Sequence, residues 1–181
     1  MALLIAGLSL FFLVHLARPL GLAVPLRARF GDGAYKGAHT LISAAGLVLM
    51  VLGYKNAEGD LLYVPLEGAQ GLAHSVMPLA FILLAGAHMR SNLKRYVRHP
   101  MMLAVLLWAA THLAANGELE SVLLFGAFGL YALAQLAALA PAVAAPAEVP
   151  RQRDLILVIA GLAAYVVALK LHGLLGPSVI G

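Results

Sequence analysis

The stretch MMLAVLLWAATHLAANG, residues 101–117, contains no Asp, Glu, Lys or Arg. It reaches the roughly 17–25 apolar residues that a helix needs to cross a bilayer. In lipid, every backbone polar group must be bonded within its segment, and the richness in Ala and Leu favours a helix over a barrel strand, whose apolar side chains would alternate. The stretch therefore predicts a transmembrane helix with a single histidine, His112.

Further apolar stretches of comparable length lie on both sides of it, at residues 2–18, 38–54, 72–89, 121–142 and 155–173. The connectors between the six stretches are residues 18–37, 55–71, 90–100, 118–120 and 143–154. The chain is 62% hydrophobic and 11% charged, whereas soluble domains average roughly 45–50% and about 25%. These values exclude a water-soluble globule. We predict an all-α integral membrane bundle of six transmembrane helices that forms one domain over residues 1–181.

The basic residues predict the orientation of the bundle, because Lys and Arg near helix ends are held on the cytoplasmic side. Ten of the twelve lie in the first, third and fifth connectors, and Lys55 and Lys170 fall on the opposite side. Residues 1–17 lack the basic start of a secretory signal peptide and are interpreted as a retained span. Both termini are therefore expected to face outward, into the periplasm.

The chain has no cysteine. This excludes disulfides, thiolate catalysis and Cys-ligated metal centres. A net charge of +4 in so apolar a chain reflects membrane topology rather than nucleic-acid binding, so lipid is the expected partner and nucleic acid is not. The candidates for chemistry are the seven histidines.

Three histidines are predicted near the outer face, and their depths agree within a few ångströms. They are His74, His112 and His172. Haem iron is commonly held by imidazole, and Trp108 lies one turn before His112 on the same face. These residues predict a haem b site, whereas the alternative is interfacial histidines bonded to water or carbonyl groups. His74 and His88, fourteen residues apart, would also suit a second haem.

The motif Arg98-His99-Pro100 opens the fourth predicted helix. Proline suits the first helical position, where its missing amide costs nothing. Arg98 and His99 are expected to face either lipid phosphates or an anionic cofactor or substrate.

Several stretches of this sequence resemble the bacterial NnrU family. They are Phe11-Phe12-Leu13-Val14-His15, Arg98-His99-Pro100 with residues 108–117, Leu124-Phe125-Gly126, and Leu171-His172-Gly173. The resemblance covers nearly the whole chain. It implies a multi-pass protein of the bacterial inner (cytoplasmic) membrane that is linked to denitrification. Components of nitrite or nitric oxide reductase are the partners that it implies.

The same family is similar to the plant zeta-carotene isomerases, which use haem b to isomerise a cis double bond. The haem histidines of that relative match His15 and His112, and a cysteine that can replace one ligand matches Ala109. The resemblance thus implies haem b without a sulfur ligand. The predicted topology separates His15 from His112 in depth by roughly 10 Å, so the partner of His112 stays open between His15, His74 and His172.

The Arg-His-Pro motif also resembles membrane methyltransferases of the isoprenylcysteine and phospholipid type. Those proteins continue with tyrosine and glycine where this chain has Met102 and Ala104. They also carry an acidic C-terminal segment where residues 140–150 are mostly Ala and Pro. We expect a haem b protein that acts in denitrification or in isomerase-like chemistry on a polyene. A cofactor-free scaffold and a membrane methyltransferase are the alternatives.

Overall fold

The computed structural model describes residues 1–138 and 146–175, with side chains as far as residue 174. Within these residues the chain forms eight helices and no β-strand. The helices are α1 (Ala2–Leu16), α2 (Ala23–Phe30), α3 (Asp32–Lys55), α4 (Ala69–His88), α5 (Leu93–Tyr96), α6 (Pro100–Ala115), α7 (Leu119–Ala137) and α8 (Gln152–Leu175). The prediction of an all-α protein is confirmed.

Each predicted span corresponds to one long helix, but the helices differ in length. In the described residues, α3, α4, α7 and α8 are long and apolar enough to cross a membrane. Helices α1 and α6 are apolar but have only 15 and 16 residues, or about 23 Å at 1.5 Å per residue. The count of six spans and the orientation of the termini therefore stay predictions. Residues 139–142 of the fifth predicted span lie outside the described residues.

Two short helices, α2 and α5, lie in connectors that were predicted without helices. α3 also begins six residues before its predicted start at residue 38. Gly31 precedes it with a φ of +83°, a conformation that glycine adopts without strain. Asp32 then lies in the first turn, where a carboxylate stabilises the helix dipole and accepts from Lys36 at i+4.

The chain divides into two compact units, and the first is Met1–Asp60. Here α1 packs along α3, and α2 packs on α3. Glycines let the helix backbones approach closely: a Cβ atom on Gly7 would lie 2.6 Å from the Met50 nitrogen, and one on Gly46 would lie 2.9 Å from the Gly7 oxygen. Leu4 and Met50 are buried in this contact.

The second unit is Leu61–Gly181, in which α4 packs against α6 and α8, and α6 packs against α7. Ala109 on α6 is 1% exposed, and a Cβ atom on Gly129 of α7 would make ordinary contact with it at 3.4 Å. On α8, a Cβ atom on Gly161 would lie 2.6 Å from the Ile82 Cα. Small residues therefore set the helix spacing in this unit as well.

A hydrogen-bonded network fixes the loop after α4 to the segment before α8. The buried Asn92 donates from its side-chain amide to the Val149 carbonyl at 2.8 Å and to the Asp154 carboxylate at 2.7 Å. The side-chain oxygen of Asn92 accepts from the Val149 amide at 2.9 Å, and its backbone amide donates to Asp154 at 2.7 Å. Asn92 therefore makes four hydrogen bonds to Val149 and Asp154, so α8 begins at a defined position relative to α4.

Candidate functional site

His112 lies in the last turn of α6, and the end of this helix is firmly held. Asn116 donates from its side chain and its backbone to the His112 carbonyl at 2.8 and 2.9 Å. The single hydroxyl proton of Tyr63 is shared between the carbonyls of Leu113 and Asn116. The final carbonyls of a helix have no partner within it. These contacts supply the missing donors and fix the turn that carries His112.

The segment before α4 is hydrogen-bonded to the same end of α6. The Leu62 amide donates to the Gly117 carbonyl at 2.8 Å, and the Leu66 amide donates to the Ala114 carbonyl at 2.9 Å. Leu61 also forms an isolated antiparallel bridge with Glu118. Burial, and secondarily the Glu118 carboxylate, raises the pKa of Tyr63 above its usual value. The phenol therefore stays protonated and keeps its donor to the α6 carbonyls.

The hydrogen bond of the His112 ring fixes which nitrogen can bind a metal. Its Nδ1 lies 2.8 Å from the Trp108 carbonyl oxygen. A carbonyl only accepts, so Nδ1 carries the proton, and the lone pair of the neutral imidazole is on Nε2. Metal-binding histidines commonly use one ring nitrogen in this way while the other donates to a carbonyl.

Aromatic rings from three helices surround His112. The Phe125 ring on α7 stacks on it with centroids 4.4 Å apart, and the Trp108 ring lies 5.3 Å away. Trp108 in turn makes edge contacts with Phe125 and Phe128, at 4.9 and 5.6 Å. His172 on α8 is the second imidazole, with its ring centroid 6.1 Å from that of His112 and the planes 24° apart. Both histidines are half-buried.

The two imidazoles lie close enough for both to bind one metal ion. An imidazole nitrogen binds a metal at about 2 Å, so two rings that share one ion have centroids no more than roughly 6 Å apart. Among the described residues, no group of three or more His, Asp or Glu residues could hold a metal ion. Two histidines leave a bare ion short of ligands, whereas haem iron takes only its axial ligands from the protein. The donor set of His112 and His172 therefore fits haem better than it fits a bare ion.

The other predicted site residues have different surroundings. In the second unit, His74 Nδ1 is 3.1 Å from the Tyr165 hydroxyl, and the His74 side chain is exposed. His15 belongs to the first unit, where its Nδ1 donates to the Phe11 carbonyl at 2.8 Å. Its ring stacks on Phe11 at 3.9 Å and lies 4.9 Å from the His39 ring. The structure thus brings His172 to His112 and gives His74 a separate partner.

Arg98 and His99 lie at the opposite end of α6 from His112. His99 caps the start of the helix, and the Leu103 amide donates to its carbonyl at 3.1 Å. Thirteen residues at 1.5 Å per residue place this end about 20 Å from His112. The Arg98-His99 pair and the His112 cluster are therefore separate features.

Sequence reasoning did not single out Phe125, Phe128 or Tyr165 as site residues. Phe125 and Phe128 are three residues apart and share a face of α7, which was the available signal. Tyr165 offers no such pattern, because its contact with His74 depends on how α4 and α8 pack.

An apolar cavity of about 210 Å³ lies between α4 and α6, lined in part by Ala80, Phe81 and Trp108.

The sequence profile described as NnrU protein matches residues 3–179, nearly the whole chain. The chain belongs to the NnrU family. The NnrU match spans both compact units and includes His15, His74, His112 and His172, so the resemblance noted from the sequence is confirmed. No curated protein and no solved structure matches the chain.

Proposed function

We propose that this NnrU protein is a multi-pass membrane protein that binds haem b through His112 and His172. The observation that carries the proposal is the pair of nearly parallel imidazoles, 6.1 Å apart, which two different helices bring together. The Nε2 lone pair that the Trp108 carbonyl leaves on His112 supports it further.

Bound haem b would supply a one-electron redox centre or an electrophilic iron. The protein residues orient the ligands and exclude water. The Trp108 carbonyl sets the tautomer and rotation of the His112 ring, and Phe125 covers one face of that ring. Trp108 and Phe128 extend the apolar surroundings, which lower the local dielectric constant and so influence the redox potential.

We further propose that the protein acts in the bacterial inner membrane, where it supports the reduction of nitrite and nitric oxide. Electron transfer to the reductases, or their assembly, would be the role of a site with two histidine ligands. Membership of the NnrU family and the apolar helices support this setting. Isomerase-like chemistry on a polyene, which the family resemblance implies, is the second candidate, and the apolar cavity of about 210 Å³ beside Trp108 has room for part of such a chain.

The visible spectrum of the full chain tests haem binding. Protein expressed with ample haem and purified in mild detergent should show a Soret band and, after dithionite reduction, the sharp α band of a six-coordinate haem. His112→Ala should abolish or strongly shift these bands. His172→Ala should convert the haem to a five-coordinate form that binds carbon monoxide after reduction.

Three variants serve as comparisons in this experiment. His88→Ala, at the end of α4, should leave the spectrum unchanged. If His15→Ala or His74→Ala removes the band and His172→Ala does not, the assignment of His172 is wrong. The absence of any Soret band would favour the cofactor-free scaffold, and calorimetric binding of S-adenosylmethionine would favour the methyltransferase alternative.

The proposed role in denitrification is tested in cells that lack this protein. They should consume nitrite and nitric oxide more slowly under denitrifying conditions, and the wild-type chain should restore the rate. If the His112→Ala chain restores it equally well, haem binding is not needed for that role.

A further inference from the structure

A second cavity, of about 460 Å³, lies in the first unit between the end of α1, α2 and the first half of α3. Its volume is in the range of small-molecule sites, about 300–1,000 Å³. Nine of its eleven lining residues are apolar, among them Leu13, Leu26 and Phe30. Tyr35 and His39 are its two polar lining residues. The walls thus suit a hydrocarbon chain that has a polar end.

Cations are held at the wall of this cavity. The Arg27 guanidinium lies 4.9 Å from the centroid of the Tyr35 ring, and that of Arg29 lies 5.4 Å from the Phe30 ring. Both rings line the cavity. Arg27 is also 3.5 Å from the Asp32 carboxylate, which offsets part of its charge.

The whole segment has a surplus of positive charge. Residues 18–37 contain four basic side chains and one acidic side chain, and Arg18, Arg27, Arg29 and Lys36 are all exposed. Lys36, like Arg27, is paired with Asp32, so Arg18 and Arg29 carry most of the excess. Cations at this density attract anionic headgroups.

Helix α2 has the composition of a helix at the membrane surface. It has eight residues, with arginines in its last turn and exposed apolar side chains at Val24 and Phe30. The chain turns tightly into it, since the amides of Leu22 and Ala23 both donate to the Ala17 carbonyl, at 2.8 and 3.0 Å. Apolar and basic side chains on one short helix are typical of the boundary between acyl chains and headgroups.

We propose that this cavity binds one anionic phospholipid of the surrounding bilayer. An acyl chain lies along the apolar wall formed by α1 and α3, and the phosphate is bound by Arg29 and Arg27. The size of the cavity, its apolar lining and the cations over two of its rings together define an amphiphile with a negative headgroup. A zwitterionic lipid would fit the walls but would gain less from the arginines.

Photo-crosslinking of the full chain in nanodiscs tests this site. The probes are phosphatidylglycerol and phosphatidylcholine with the same diazirine-labelled acyl chain, and mass spectrometry locates the adducts. Phosphatidylglycerol should label residues 13–42 preferentially. Arg29→Gln should lower that preference about fivefold, since one cation near the surface is worth about that factor. Arg29→Lys should retain most of it.

Two further variants separate the cavity from general contact with lipid. Ala38→Trp places a large ring in the cavity and should suppress labelling by both probes, whereas Ala44→Trp, on an exposed position of the same helix outside the lining, should not. Equal labelling by both lipids, or labelling unaffected by Ala38→Trp, overturns the proposal. Stronger labelling by a diazirine fatty acid than by phosphatidylglycerol would assign the cavity to a free fatty acid and would also overturn it.

Discussion

The close contact between α1 and α3 predicts opposite effects of the same substitution at two glycines. At Gly7, an added methyl group would lie 2.6 Å from the Met50 nitrogen and 2.7 Å from the Gly46 oxygen. Both atoms are backbone, so α3 as a whole must move, and overpacking of this kind costs about 1–3 kcal/mol. Alanine is a better helix former than glycine, which offsets this cost by about 1 kcal/mol. Because the clash is with backbone, we expect Gly7→Ala to lower the free energy of unfolding by about 1–2 kcal/mol.

Gly37 is the matched control, because it lies in α3 and a Cβ atom there would meet nothing within 4 Å. Gly37→Ala should raise the free energy of unfolding by up to about 1 kcal/mol through helix propensity alone. Unfolding by SDS from mild detergent micelles, followed by far-UV circular dichroism, measures both changes. If Gly7→Ala is as stable as Gly37→Ala, the described packing of α1 on α3 is wrong.

Two further substitutions test the second unit. Tyr63→Phe should lower the free energy of unfolding by about 1 kcal/mol at neutral pH, because it removes the donor to the end of α6. The pKa of Tyr63 is raised in the folded protein, so this contribution is fully present below pH about 10 and is lost as the pH rises through the folded-state pKa. The unfolding curves of the wild type and of Tyr63→Phe should therefore converge only at strongly alkaline pH. Asn92→Ala removes three side-chain hydrogen bonds to Val149 and Asp154 and should lower the free energy of unfolding by about 3 kcal/mol. The Val149 amide should also exchange its hydrogen faster. Unchanged exchange would contradict the network.

The helices could be predicted from the sequence because lipid permits few backbone structures. In a long apolar stretch bounded by charged residues, a helix satisfies all the backbone hydrogen bonds within the stretch. Each predicted stretch contains one helix in the described residues. The bounds were less accurate where local contacts decide them. α3 begins before residue 38 because Gly31, Asp32 and Lys36 form a favourable first turn. The hydropathy of the sequence does not indicate this turn.

The candidate site could be predicted only in part. His112 and His172 lie near the ends of helices that are predicted to run in the same direction, and the expected equal depth agrees with the 6.1 Å between their ring centroids. His74 satisfied the same depth argument, but its ring is paired with Tyr165. The depth of a residue fixes its position along the membrane normal. It does not determine the direction in which its side chain points around the helix. That direction depends on packing contacts such as Gly161 against Ile82, which the spacing of histidines does not contain.

The shortness of α6 has a consequence for the surrounding lipid. A helix of about 24 Å is some 6 Å shorter than the roughly 30 Å hydrocarbon core of a bilayer. Where α6 crosses the bilayer, as the sequence predicts, a span of this length is accommodated by local thinning of the membrane, at a cost of fractions of a kcal/mol per ångström. The headgroup region would then dip toward the end of α6 that carries His112. Lipids with shorter acyl chains should therefore favour the protein, and the thickness of the bilayer would determine how closely water approaches this histidine.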